Sequence, residues 1–248
     1  MQRVGEALSD VSAQTLFRMG HTDRRVQSHL IQVYALLACA SVSASTGALS
    51  TLLTQLNQSA FFPPLVSIAT LASVVYIAYT RNGNAKRTQR SRIAALLTAG
   101  FCFGSHATSV MAFAAAVDPS IPPKALLGTA SVFISFSLSA LLARRRSLLF
   151  LGGIAGTLLN TLMLLRFAKL LGVGASVYDA NIFVGLAVFL LYTIADTQAI
   201  IERANALELD PVCDALTLLI DAAGVLTRLA LALTRSKTEK QSRKRRTQ

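Results

Sequence analysis

The chain has 248 residues, of which 53% are hydrophobic and only 15% charged, with a formal net charge of +12. An ordinary soluble domain is roughly 25% charged, whereas seven membrane spans of about 20 residues would use more than half of this length. These proportions exclude a soluble enzyme carrying an appended anchor, and they exclude a disordered chain, which is poor in hydrophobic residues and rich in charge.

Residues 1–28 are polar and hold no apolar run of signal-peptide length, so the first span is expected to serve as the targeting signal. Apolar runs then follow at 29–52, 60–79, 93–116, 124–143, 147–171, 181–201 and 212–234. Each is long enough to cross the hydrocarbon core as a helix, the form that satisfies its own backbone in lipid. Asn57-Gln58 with Pro63-Pro64 divides the first pair of runs, and Asp118-Pro119 with Pro122-Pro123 divides the third from the fourth. Arg144-Arg145-Arg146 splits a run that would otherwise be too long. The expectation is an all-α polytopic membrane protein of six or seven transmembrane helices. It has a segment 1–28, a membrane domain 29–234 and a basic tail 235–248.

The bases sit between the apolar runs, as topology signals do, and not along one face as a nucleic-acid partner would require. Arg81, Lys86, Arg87, Arg90 and Arg92 share a side with the arginine triplet if the spans alternate, while the loops at 53–59 and 117–123 carry no base. This places the N-terminus in the cytosol. The basic tail (Arg235, Lys237, Lys240, Arg243, Lys244, Arg245, Arg246) divides the expectations: seven crossings put it outside the cytosol, six with a re-entrant last segment put it inside. Asn57-Gln58-Ser59 is a glycosylation sequon in a loop facing away from the cytosol. Cys39, Cys102 and Cys213 are isolated and read as free thiols. His21, His29 and His106 lack the neighbours a metal site needs. Gly100 with Gly104, and Gly152 with Gly156, form small-residue faces that suit close packing within the bundle.

Two carboxylates inside apolar runs carry the chemistry: Asp196 in LLYTIADTQAII and Asp221 in LTLLIDAAGVL. Each costs about 2.5–3.5 kcal/mol at a helix centre, and neither has a base adjoining it in its own helix. They are expected to meet, share one proton and titrate as a pair. Ionised, they would also offer hard oxygen ligands to Ca²⁺, a weak metal site. The plainer alternative is a structural acid bonded to Thr193 or Thr197. Arg228, two turns beyond Asp221, is expected to pair across helices with Glu202 or Asp196. Asp214, seven residues before Asp221, lines an aqueous path on one reading. The favoured reading puts it with Glu208 and Asp210 in a wet acidic loop.

The stretches DPSIPPKALLGTASVFISFSLSALLARRRSLLFLGGI (118–154) and ANIFVGLAVFLLYTIADTQAIIERA (180–204) resemble the Bax inhibitor-1 (transmembrane Bax inhibitor motif) family, and the likeness runs from about Gln27 to the basic tail. It is similar to the endoplasmic-reticulum branch, whose members also end in a Lys/Arg tail. The resemblance implies a last helix surrounded by the other six, a pH-sensitive Ca²⁺ leak from the endoplasmic reticulum, suppression of stress-induced cell death, and paired aspartates at Asp196 and Asp221. The chain departs from the pattern at Ala195, where an aromatic is frequent, and at Leu207-Glu208-Leu209-Asp210, where a Gly-Asp turn is common. It departs again at Thr217, where some members carry an acid, and at Ala222-Ala223-Gly224, where aromatics are usual. The implied agents are lipid, Ca²⁺, protons and cell-death or stress-signalling proteins, with no cofactor and no enzymatic reaction. A non-conducting interaction protein working through its loops and tail is the alternative. A proton-coupled exchanger would use the same residues. An intramembrane aspartyl protease finds only Tyr178-Asp179, without a GxGD motif.

Overall fold

In a computed structural model, residues 24–56, 59–81, 86–142, 150–170 and 178–246 are described. Their regular structure is entirely helical: α1 Arg24–Thr54, α2 Phe62–Tyr79, α3 Lys86–Val117, α4 Ile121–Leu142, α5 Phe150–Leu170, α6 Tyr178–Asn205 and α7 Pro211–Arg246. Six of these contain a stretch long and apolar enough to cross a membrane; in α5 the apolar stretch, Phe150–Leu164, is shorter. The chain is thus a multi-pass membrane protein. The arginine triplet, the Asn57 sequon and His21 lie outside the described residues.

Lipid offers no hydrophobic force between helices, so the bundle depends on close packing and on polar bonds between helices. The packing is tightest between α1 and α3, which run parallel. A Cβ at Gly100 would meet the Ala40 carbonyl and one at Gly104 the Ala44 carbonyl, so only glycine admits this approach. Ser43 donates to the Leu97 carbonyl at 2.8 Å, and Thr108 to the Ala48 carbonyl at 3.2 Å. The second glycine pair seats α5 on α6, with Gly152 beside Ala195 and Gly156 beside the Tyr192 hydroxyl. Both glycine faces therefore serve packing within the chain.

The buried core gathers Val33 and Leu37 of α1, Ile77 of α2, Leu96 of α3, Ile200 of α6 and Leu218 and Leu219 of α7. Helix α7 packs against α1, α2, α3, α4 and α6, while α5 packs principally on α6. The last helix is central as expected, except that α5 stands behind α6 and is not one of its main neighbours. The outer faces carry exposed Ile31, Leu65, Ile68, Leu71, Leu127 and Met163, which suits contact with acyl chains.

Two rims define the molecule's ends. At one, Arg92 at the start of α3 bonds Asp210 just before α7, and His29 near the start of α1 bonds Asp214. At the other, Lys237 bonds Asp118 at 2.6 Å, between α3 and α4. Helix α7 runs unbroken for 36 residues, and from Pro211 to Lys237 it rises about 39 Å at 1.5 Å per residue. It traverses the whole bundle and does not turn back, which removes the re-entrant alternative. Lys237 on the one hand, and Arg81 and Arg92 on the other, therefore stand at opposite ends.

Candidate functional site

The turn that joins α6 to α7 sets the register of the two helices. The Glu208 N–H donates to the Arg203 carbonyl at 3.0 Å and the Leu207 N–H to the Ala204 carbonyl at 3.3 Å, the pair of bonds that closes a Schellman C-cap. Leu207 occupies the left-handed position of that cap at φ 64°. Asp210 then caps α7: its Oδ1 accepts from the Cys213 N–H at 3.2 Å, and Pro211 fills the first helical position, where no N–H is needed.

From this turn the two helices run antiparallel, and side chains on their facing sides meet in layers seven residues apart. On α6 the positions are Arg203, Asp196 and Phe189; on α7 they are Asp214, Asp221 and Arg228. Seven residues make nearly two turns, so each set stays on one face with a small drift. The polar groups thus form a column along the α6–α7 seam.

In the first layer Asp214 is buried at 2% exposure. Its Oδ1 accepts from Arg203 at 2.6 Å, and its Oδ2 is bonded to His29 Nε2 at 2.8 Å. One carboxyl ties α1, α6 and α7 together. Beside it Arg92, buried, donates to Asp210 Oδ2 at 2.6 Å and to the Ile77 carbonyl at 3.4 Å, which ties α2 and α3 to the start of α7. The expectation that Asp214, Asp210 and Glu208 form a wet loop is therefore incorrect for two of the three. Asp210 and Asp214 are buried because basic partners on neighbouring helices compensate them. Glu208 alone is exposed, in a loose ion pair with Arg81 at 3.4 Å.

In the second layer Asp196 and Asp221 face each other across the seam, within electrostatic reach of one another. Ionised carboxylates only accept hydrogen bonds, so a bond between the two would need a proton on one of them. Asp221 is 3% exposed, and its Oδ2 is buried with no hydrogen-bond partner. The threonines that might have served a structural acid do not: Thr193 donates to the Phe189 carbonyl and Thr197 to the Thr193 carbonyl, both on α6. Tyr192, one turn before Asp196, lies within electrostatic reach of both carboxyls. No three His, Cys, Asp or Glu side chains converge as a metal site among the described residues, so a cation here would have two carboxyls at most.

In the third layer Arg228 stacks on the Phe189 ring at 5.0 Å from its centroid, with its guanidinium over Gly185. Sequence reasoning paired it with Glu202 or Asp196. Glu202 lies in the Arg203 turn, two heptads along the seam from Arg228. The missing side chain of Gly185 leaves room for the guanidinium. His29, Arg92, Arg203, Asp210 and Tyr192 were not anticipated as part of the site. The available signal was the seven-residue spacing of Arg203 from Asp196, which matches that of Asp214 from Asp221. The side chain of Asp179, the protease candidate, lies outside the described residues.

A family profile described as "Inhibitor of apoptosis-promoting Bax1" matches residues 26–238. Human Bax inhibitor 1 is 32% identical over 235 residues, covering 95% of this chain and 97% of that protein. Bax inhibitor 1 of Arabidopsis thaliana is 32% identical over 217 residues, 87% of this chain and 84% of the relative. Bax inhibitor 1 of Drosophila melanogaster is 30% identical over 220 residues, 89% and 87% respectively. No solved structure matches the chain.

Proposed function

Because this chain belongs to the Bax inhibitor 1 family, we propose that it is a pH-sensitive Ca²⁺ leak pathway of the endoplasmic reticulum membrane, gated by Asp196 and Asp221. On this reading it lowers stored Ca²⁺ and so restrains stress-induced cell death. The observation that carries the proposal is the juxtaposition of these two carboxyls, Asp221 buried with an unpartnered Oδ2, in the α6–α7 seam. While a proton is shared, a hydrogen bond between them holds the helices together. Once it leaves, two like charges face each other in a poorly hydrated place and repel. The same ionised oxygens are then hard ligands for a passing Ca²⁺. Flux should therefore rise with pH, because the closed pair is the protonated one.

The test is Ca²⁺ flux from liposomes holding the purified protein, followed across pH. Asp221→Asn and Asp196→Asn each remove a titrating group and should flatten the pH profile. A profile unchanged in both variants would reject the gate. Membrane-potential dependence separates a passive leak from a proton-coupled exchanger.

A second reading has its own support in the tail, where residues 236–243 continue α7 as an exposed helix rich in bases. A non-conducting protein that restrains cell-death or stress-signalling partners would use such a surface. Deleting 235–248 should then abolish protection of stressed cells while leaving Ca²⁺ flux intact. Protection retained without the tail counts against this version.

A further inference from the structure

Tyr192 stands one turn before Asp196 on α6, and residues four apart are neighbours on one face of a helix. It is half-buried and lies within electrostatic reach of Asp221 as well. Its hydroxyl rests on α5, where a Cβ at Gly156 would lie 3.5 Å from the phenol oxygen. Helix α5 meets it with glycine, so no side chain confines the hydroxyl from that direction. Asp221 Oδ2 is buried without a hydrogen-bond partner, which gives the pair an acceptor for a further donor. The surrounding charges are otherwise engaged. Arg203 of α6 and His29 of α1 are both bonded to Asp214 of α7, and Arg228 lies over the Phe189 ring a heptad away. Helix α4 has Lys124 as its one ionisable residue, close to the Asp118 rim and bonded to Ser120.

We infer that Tyr192 is a positioning residue of the aspartate pair: its phenol turns from Gly156 to donate a hydrogen bond to the pair as the shared proton leaves. This rests on the proton shared by Asp196 and Asp221 and not on the passage of Ca²⁺. A phenol ordinarily keeps its proton up to a pH of about 10, so it is a neutral donor throughout the range in which carboxyls ionise. A hydrogen bond to the ionised form favours that form. Tyr192 thus lowers the pH at which the pair opens, and without the hydroxyl the opening moves to higher pH.

The experiment titrates the infrared band of the protonated carboxyl in the reconstituted full-length protein, for the wild type, Tyr192→Phe and a protein with 3-fluorotyrosine at position 192. Thermal unfolding in detergent verifies each fold. Tyr192→Phe keeps the ring and loses the donor, and should raise the midpoint by about one pH unit, tenfold in proton concentration, as suits a hydrogen bond to a charged acceptor. The fluorinated phenol is a stronger donor of nearly the same size and should lower the midpoint, which keeps the inference testable should Tyr192→Phe fold poorly. Midpoints unchanged in both would overturn the inference. Midpoints displaced in the same direction in both would overturn it too, by assigning the effect to packing. A wild type without a titrating carboxyl band would overturn the shared proton, and this inference with it. The expected shifts in a protein that carries no Ca²⁺ at any pH would reject the leak reading and support the role of Tyr192.

Discussion

Asp214 is the most heavily bonded carboxyl of the seam, held by Arg203 and His29 with almost no exposure to solvent. Removing one member of a buried ion pair leaves the others desolvated and unpaired. Asp214→Ala should therefore destabilise the bundle by about 3 kcal/mol, seen as a lower unfolding temperature in detergent. A variant as stable as the wild type would show that the pair does not join the helices. At the opposite rim, the hydrogen bond from Lys237, helped by the N–H of Ser120, holds the Asp118 carboxyl well below the usual carboxylate range. A carboxyl depressed in the folded state stabilises above its ordinary pKa, about 4, and loses that contribution only as pH falls further. The Lys237 contact should thus persist throughout the neutral and mildly acidic range, so Lys237→Met should leave the pH profile of flux unchanged. The two aspartates of the second layer were legible in the residues alone, because charge within an apolar run is costly and conspicuous. His29 was not: it stands 185 positions from Asp214, and no local pattern announces a contact made by two distant helix ends.

At the level of helices, most of the fold could be read from the apolar runs, while the ends of α1, α3 and α7 could not. Hydropathy falls at Arg235, but Arg, Lys, Glu and Gln favour helix nearly as well as Leu does, so α7 continues to Arg246. The glycines divide by what surrounds them. A Cβ at Gly104 would collide with the Ala44 carbonyl, whereas one at Gly153 meets nothing within 4 Å. Gly104→Ala should lower the unfolding temperature, and Gly153→Ala should stabilise by roughly 0.5–1 kcal/mol, the gain of alanine over glycine in a helix interior. The α6–α7 turn makes a third case. Leu207 holds a left-handed conformation that costs an L-residue roughly 1–2 kcal/mol. Leu207→Gly should recover about 1 kcal/mol without moving the Asp196–Asp221 layer. Equal or lower stability in that variant would show that the exposed leucine side chain contributes more than its backbone costs.

For the molecule as a whole, parallel α1 and α3, antiparallel α6 and α7, and the Asp118–Lys237 bond fix which rim each segment occupies. Tags fused to the start of α1 and to the tail should be reached by protease from opposite sides of a sealed vesicle; digestion of both from one side would contradict the full traverse of α7. Everything proposed about function depends on a proton held between Asp196 and Asp221. Infrared difference spectra of the reconstituted protein can follow the stretch of a protonated, poorly hydrated carboxyl through a pH titration. Such a band should be present at acidic pH, absent in Asp221→Asn and Asp196→Asn beyond the single remaining acid, and should vanish over the same pH range in which Ca²⁺ flux rises. A band that persists through the rise in flux, or that both variants leave unaltered, would contradict the account.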